Sequence, residues 1–457
     1  MVPLASPDLL HAELPENPLC LITDDGSSLA PVLAKALSEQ GWSPVILRFS
    51  GISELVKKKR RPFAKEIPLI ELSSSAESEL ESSLKSLTEK RGNIGGFIHL
   101  HPASSTLAES RLEDGANAFL KQAFLTAKNV CTFLNEAGKS DSSRSHFLAV
   151  TRLDGELGMG SGQFGAVGSG LSGLIKTAGI EWPNVFCRFV DLQPELTADT
   201  GASCILQELL DPDLRIKEVG YSGSGKSGTR RMTVQPKIIR DLATKNSSKS
   251  LTKKSVFLVS GGARGVTAEC VAKLAQTQPC SFILLGRSTI EDEPEWAKGV
   301  DEDKTKLKKA AMKSLVDSGE KPTPAKVNQL VGKVEAGRDI RKNLERIRNA
   351  GGNVEYVSSD VTDAKKLKTA IAAVVKKIGP VTGIIHGAGV LADKLIEKKT
   401  GDDFDAVCST KINGIDALLK SVNPKKLTHL LLFSCLLYTS DAADERSSVD
   451  LGGRRII

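Results

Sequence analysis

Aromatic residues are scarce in this chain: 3 Trp, 3 Tyr and 14 Phe among 457 residues, 4% of the whole. The core is therefore expected to be aliphatic. No apolar run approaches the ~18 residues that a membrane-crossing helix needs, so no membrane partner is expected. The 8 cysteines are scattered singly, with no Cys-x-x-Cys pair and no metal-ligand spacing. That pattern argues against a disulfide framework or a metal site, and for reduced thiols in a cytoplasmic protein. The first residues, MVPLASPDLLHAELPENPLC, lack a basic start followed by a long apolar stretch, so no signal peptide is expected, and a fragment of a longer chain fits as well. The net charge is +7, but the excess lies in Lys-rich stretches around 245–254 and 304–348. Such runs read as solvated faces, and nucleic acid is not an expected partner.

What is present is a repeat. A polar stretch, GYSGSGKSGTRRMTV and then RDLATKNSSKSLTKKS, marks a boundary near 240–254. On either side the elements recur in the same order. LCLITDDGSSLAPVLAKALSEQGWSPVILRF (Leu19–Phe49) parallels VFLVSGGARGVTAECVAKLAQTQPCSFILLGR (Val256–Arg287), each an apolar strand, a turn, an amphipathic helix and a second strand. GFIHLHP parallels GIIHGAG, HFLAVT parallels HLLLFS, and at that last offset Lys128 falls opposite Lys411. Continuous apolar strands alternating with helices predict parallel sheets covered on both faces. The fold class expected is α/β, with two Rossmann-like doubly wound domains, one a duplicate of the other. Residues 1–18 form an N-terminal extension, 19–240 the first domain, 241–254 a linker and 255–434 the second domain. Within the second domain, 289–350 reads as an inserted helical excursion that rejoins the sheet at NVEYVSSDV. His429–Phe433 reads as a buried strand. GYSGSGKS satisfies the P-loop pattern, but that cradle needs a helix starting at the Lys. GTRRMTV follows instead, so a hairpin closing the first domain is expected there, not an ATP site.

The chemistry-bearing turn lies in the second half. Strand VFLVS runs into Gly261, Gly262, Ala263, Arg264, Gly265 and Val266, with two glycines spaced GxxxG between strand and helix. Glycine there permits a tight turn and close approach to a pyrophosphate, which the helix N-terminus then holds. The second strand ends in Arg287 and Ser288, where an NAD site would show Asp or Glu. Two guanidinium groups, Arg264 and Arg287, and no carboxylate favour the 2′-phosphate of NADPH. The third strand ends at Asp360, placed to accept from the adenine amine, with Val361 against the ring. The fourth ends at Gly387, Ala388 and Gly389, which leave room for the nicotinamide ribose.

These motifs resemble the short-chain dehydrogenase/reductase superfamily, and most closely the ketoreductase domain of polyketide and polyunsaturated fatty-acid synthases. SGGARGVT is similar to that family's TGxxxGxG turn, with Ser260 for the Thr and Thr267 for the last glycine, a change that should set the helix slightly further from its strand. The insert after GRS, with EPEWAKG and GEKPTP, resembles the polyunsaturated fatty-acid version. The first half is similar to the family's structural subdomain, a decayed copy that braces the catalytic one. Asp24 and Asp25 at its glycine-turn position would repel a phosphate.

The resemblance implies NADPH-dependent reduction of a β-ketoacyl thioester on an acyl carrier protein, within a larger synthase whose other domains are partners. It implies a Lys that tunes a Tyr acid, a Ser on the carbonyl oxygen and an Asn. Lys411 stands at the Lys position. The Ser, Tyr and Asn positions hold Cys435, Ser448 and Gly452. The run CLLYTSDAADE reads as a translated sequencing adaptor, so 435–457 are expected to be foreign and genuine sequence to stop after Ser434. Asp393, in Leu391–Ala392–Asp393, matches the last residue of a Leu-Asp-Asp stereochemical motif and is the expected substrate-side group. The alternative is a non-catalytic structural or docking module of a synthase.

Overall fold

Leu19 and Leu21 point to one side of their strand and Cys20 and Ile22 to the other, and all four are buried. A strand covered on both faces is what a continuous apolar run demands. The computed structural model describes residues 1–9, 15, 18–56, 60–103, 115–139, 143–160, 166–223, 228–235, 251–278 and 280–433. Ser434, Cys435, Ser448, Gly452 and the adaptor-like tail lie outside them, as do most of the polar linker and the SGKS of the P-loop look-alike.

Two compact units form, Met1–Leu242 with Ala392–Phe404, and Ala243–Leu391 with Asp405–Ile457. The first carries β1 (Val2–Pro3), β2 (Leu19–Thr23), β3 (Ser43–Arg48), β4 (Leu69–Glu71), β5 (Ile94–Leu100), β6 (Ser145–Thr151), β7 (Val185–Leu192), β8 (Glu218–Ser222) and β9 (Arg230–Thr233). Their spatial order is β1-β9-β8-β7-β6-β5-β2-β3-β4. β2 to β8 run parallel, and β8 and β9 form the antiparallel hairpin expected around GYSGSGKS. Val2–Pro3, read as part of an extension, is the edge strand paired with β9.

The second unit carries β10 (Val256–Ser260), β11 (Ser281–Gly286), β12 (Asn353–Ser358), β13 (Gly383–His386) and β14 (His429–Leu432), all parallel. The order β12-β11-β10-β13-β14 repeats β4-β3-β2-β5-β6 of the first unit. Phe257 and Val259 enter one core layer, Val256 and Leu258 the other. β14, expected to be buried, is an edge strand: Leu430, Leu431 and Leu432 are 50%, 43% and 56% exposed. Among the described residues no strand lies beyond it.

The insert is helical, and its long second helix does two things. Helix Lys304–Asp317 is capped by the Asp303 carboxylate and helix Pro324–Asn349 by the Thr323 hydroxyl, with Pro324 at its first position. The start of the long helix packs Val327, Val331 and Val334 on Leu307, Ala311 and Leu315 in a small core of their own. Its end packs Ile340, Leu344 and Ile347 with Val271, Ala275 and Phe282 under the sheet. The helical insert thus has a small core of its own at its start and rejoins the sheet at β12, its long helix serving also as the crossover from β11. The 7 cysteines of the described region are free. No described helix is long and apolar enough to cross a membrane.

Candidate cofactor and active site

The glycine turn that follows β10 is shaped by what a side chain would hit. Gly261 has φ +70°, and a Cβ there would lie 2.9 Å from the backbone N of Ala388. A Cβ on Gly262 would lie 2.4 Å from Val259 Cγ1. Gly265, at φ +65°, opens helix Gly265–Thr277, and nothing lies within 4 Å of its would-be Cβ. The turn is therefore pressed onto the end of β13 on one side and open on the other. The helix has no side-chain cap at Arg264 and no acidic residue in its first turn. Its leading N–H groups and its positive dipole end face that opening without an internal anion. A dinucleotide pyrophosphate fits this cradle.

Thr267 and Gly387 explain the departure from the usual glycine pattern. Thr267 is buried, and a Cβ on Gly387 would fall 2.1 Å from its Oγ1. Gly387 therefore seats the helix through Thr267, and its bare face is not the space expected for a ribose. Ala388 and Gly389 follow at the strand end. A Cβ on Gly389 would lie 3.4 Å from Lys411 Cε and 3.6 Å from its Nζ, an ordinary contact distance, so the strand end runs directly beside the lysine side chain.

Toward the insert, Arg264 Nε donates to Asp339 Oδ2 on the long helix at 3.1 Å. Asn343, one turn on, donates to the carbonyl of Ala263 at 3.0 Å. Arg264 also lies close enough to Tyr356 to oppose the upward pKa shift that burial gives that phenol. The same phenol donates to the Ser288 carbonyl at 2.6 Å, and Ser358 Oγ to that of Arg287 at 3.3 Å. Asp360 accepts from Thr362 N–H and Oγ1–H at 2.9 and 2.8 Å. Those bonds, and then the charge of Arg287, hold its carboxyl below the usual range despite some burial. Val361, expected against the adenine ring, is buried in the core with Leu285, Leu367 and Leu418. Val266, by contrast, is 46% exposed on the first helical turn.

Lys411 sits on a π-helical turn, Ser409–Asn413, a device that often marks functional positions. Its Nζ donates to the Phe433 carbonyl at 3.0 Å, and burial pushes its pKa down. His386, at the end of β13, connects this turn to the glycine turn. Its Nε2 lies 3.1 Å from the Lys411 carbonyl, its Nδ1 lies 2.6 Å from Ser260 Oγ, and that oxygen accepts from Ala388 N–H at 3.3 Å. A carbonyl needs a donor, so Nε2 carries the proton and Nδ1 accepts from the serine. Burial lowers the His386 pKa, in keeping with this neutral form. Sequence reasoning placed Ser260 in the motif but missed its pairing with His386, and missed Asp339 and Asn343. The pairing could have been found, because the first unit repeats it: Thr23 Oγ1 lies 3.0 Å from His99 Nδ1 and accepts from Leu100 N–H at 2.8 Å.

The first unit's corresponding turn is closed to phosphate. Asp24 and Asp25 are buried there. The Gly26, Ser27 and Leu29 N–H groups donate to Asp24, Asp25 and Ser27 side chains at 3.0 Å each. Arg48 and Arg60 each reach Asp24 Oδ2 at 2.9 Å. Donors and cations that would bind a phosphate are consumed internally. Lys128, the counterpart of Lys411, pairs with Glu77 at 2.6 Å.

Asp393, the expected substrate-side group, is exposed, and with Ala392 it is grouped with the first unit. In that unit Ile396 is buried in the core and its N–H donates to Glu181 Oε2 at 2.7 Å.

A family model described as "KR domain" matches residues 255–445. The chain is 34% identical over 458 residues to a polyunsaturated fatty acid synthase polypeptide of Thraustochytrium sp., covering 95% of this chain and 15% of that protein. A 72-residue stretch is 36% identical to an acetoacetyl-CoA reductase of Synechocystis sp., covering 15% of this chain and 30% of that one. Among solved structures, an N-terminal ketoreductase from the macrolactin assembly line superposes with TM-score 0.59 at 16% identity, over 93% of this chain and 73% of that one. At that identity the likeness concerns the fold alone.

Proposed function

Residues 255–445 belong to the KR domain family, and from that premise we propose that the parent protein is an NADPH-dependent β-ketoacyl reductase acting on thioesters carried by an acyl carrier protein. KR domains of synthases are oxidoreductases that use nicotinamide cofactors, and this chain's relatives are parts of large multidomain synthases. The observation that carries the finer reading is the convergence at one sheet edge. The open glycine turn after β10, Arg287 and Ser288 after β11, Asp360 after β12, and Gly389 with Lys411 after β13 all belong to the second unit.

The bound cofactor supplies a hydride. This chain's own residues bind and orient it. Gly262, Ala263, Gly265 and Val266 bring N–H groups to the pyrophosphate around the bend made at Gly261, whose own N–H is held by the Leu285 carbonyl at 3.0 Å; Arg264 and Arg287 take the 2′-phosphate, and the ionised Asp360 accepts from the adenine amine. Lys411 holds a positive charge beside Gly389, where it lowers the pKa of a neighbouring acid and orients the proton relay to the developing alkoxide. Asp393 is assigned to the substrate side, biasing the configuration of the alcohol. A cytoplasmic location completes the reading.

Titration with NADPH and NADH, followed by NADPH oxidation with an acetoacetyl thioester, tests this. NADPH should bind at least about tenfold more tightly, as an added bidentate phosphate contact requires. Turnover should be lower than that of a complete domain by at least ~10²–10⁴, because Cys435, Ser448 and Gly452 stand where Ser, Tyr and Asn are required. Equal affinity for the two cofactors would overturn the assignment. The second reading, a non-catalytic module, predicts the same low turnover. NADPH turnover at the rate of a complete domain would rule it out.

A further inference from the structure

The long insert helix Pro324–Asn349 does more than cross the sheet. Three side chains on its last turns reach the cofactor turn and the helix that follows. Asn343, itself buried, holds the Ala263 carbonyl at 3.0 Å, Arg346 pairs with Glu269 at 2.6 Å, and Asp339 takes Arg264 Nε at 3.1 Å. The first two fix the turn's position. The third sets a carboxylate against a guanidinium that the proposed function needs for a phosphate.

We propose that Asp339 is a specificity-determining residue: an internal counter-ion that occupies Arg264 until a 2′-phosphate competes for it, and so sets how strongly the phosphorylated dinucleotide is preferred. This rests on the assignment of Arg264 to the 2′-phosphate. The contrast between the two units carries the argument. In the first, Asp24 is fully buried, accepts from Arg48 and Arg60 at 2.9 Å each and from Gly26 N–H at 3.0 Å, and so closes the site. In the second, Asp339 and Arg264 are 51% and 50% exposed and meet through one contact. An exposed single-contact pair is weak and salt-screened. A carboxylate–guanidinium pair is thus a buried plug in one copy, where Asp24 of the turn takes arginines from outside it, and an exposed, displaceable contact in the other, where Arg264 of the turn meets Asp339 of the insert helix. Arg264 is held by Asp339 through Nε.

The test is isothermal titration of the full chain and of Asp339→Asn and Asp339→Glu with 2′,5′-ADP and 5′-ADP, at low and high salt. Asp339 is half-exposed, so neither substitution threatens folding. Asp339→Asn should tighten 2′,5′-ADP by about twofold to fivefold, the range of an exposed ion pair, leave 5′-ADP unchanged, and lose the gain as salt rises. Asp339→Glu should behave as the parent chain. If the parent chain prefers 2′,5′-ADP and Asp339→Asn leaves that preference unchanged or weakens it, the counter-ion role is wrong and the cofactor assignment stands. If the parent chain shows no preference, the assignment of Arg264 falls and the counter-ion role with it.

Discussion

Gly261 combines two constraints that are separable elsewhere in the chain. Its φ of +70° disfavours any L side chain, and a Cβ would also meet the backbone of Ala388 and Gly387. Gly265 has only the first. Gly261→Ala should therefore cost about 1–3 kcal/mol of stability in the second unit and at least about tenfold in dinucleotide affinity, read by urea unfolding and by NADPH titration. Gly265→Ala should be milder in stability, since only strain opposes it. The importance of these glycines was legible, because a strand-to-helix turn restricts its residues locally. The partners of the arginines were not. Arg264 and Asp339 lie 75 residues apart, and no local pattern encodes a pairing across an insert. Arg231 shows the same limit. It read as part of a polar stretch, yet it is buried against Glu208 and Asp211 beside Arg188, in a network that only the assembled sheet creates.

At the scale of the element, the long insert helix shows how a crossover acquires a second task. Apolar positions along Pro324–Asn349 change partners midway, from the neighbouring helix to the sheet. The helical period was readable, but a single amphipathic pattern does not say which of two cores each turn enters. The Asn343 amide is where the helix grips the turn. Asn343→Ala would leave the buried Ala263 carbonyl without its donor, at about 1–3 kcal/mol. It should weaken 2′,5′-ADP and 5′-ADP to the same extent, unlike a change at Asp339. A selective loss of one nucleotide in titration would show that Asn343 does something other than position the turn. β14 is the element whose character was misread. Leu and Phe runs predict burial only when something is there to bury them, and its three leucines are about half exposed.

Across the whole molecule, the duplication is as clear in the topology as in the sequence, because strand order and the buried hydroxyl–histidine pair recur together. The copies differ in charge management. The first unit buries His99, His101 and His146. Burial, reinforced at His99 by His101 and at His146 by Arg144, lowers all three from 6.5, His101 to about 4 and His146 to about 3. A depressed pKa means that the folded state takes up fewer protons than the unfolded one below pH 6.5. The stabilisation is complete above that pH and is lost as pH falls through the window toward 4 and 3, at about 2 kcal/mol each for His101 and His146 by pH 5. Asp191, pushed up to about 6 by burial against several backbone donors, acts in the opposite sense and offsets part of the loss. The urea midpoint of the first unit should drop between pH 7 and pH 5. A midpoint constant over that interval would mean that these imidazoles are hydrated.

The return of Ala392–Phe404 to the first unit has a consequence for how such a chain can be inherited. Ile396 fills the core of one unit although it is encoded within the sequence of the other. A crossover event in the polar stretch near 240–254, the natural seam by composition, would yield a leading half with a hole where that isoleucine belongs. The pair can move between genes only together, so duplication has ended in two halves that recombination must treat as one.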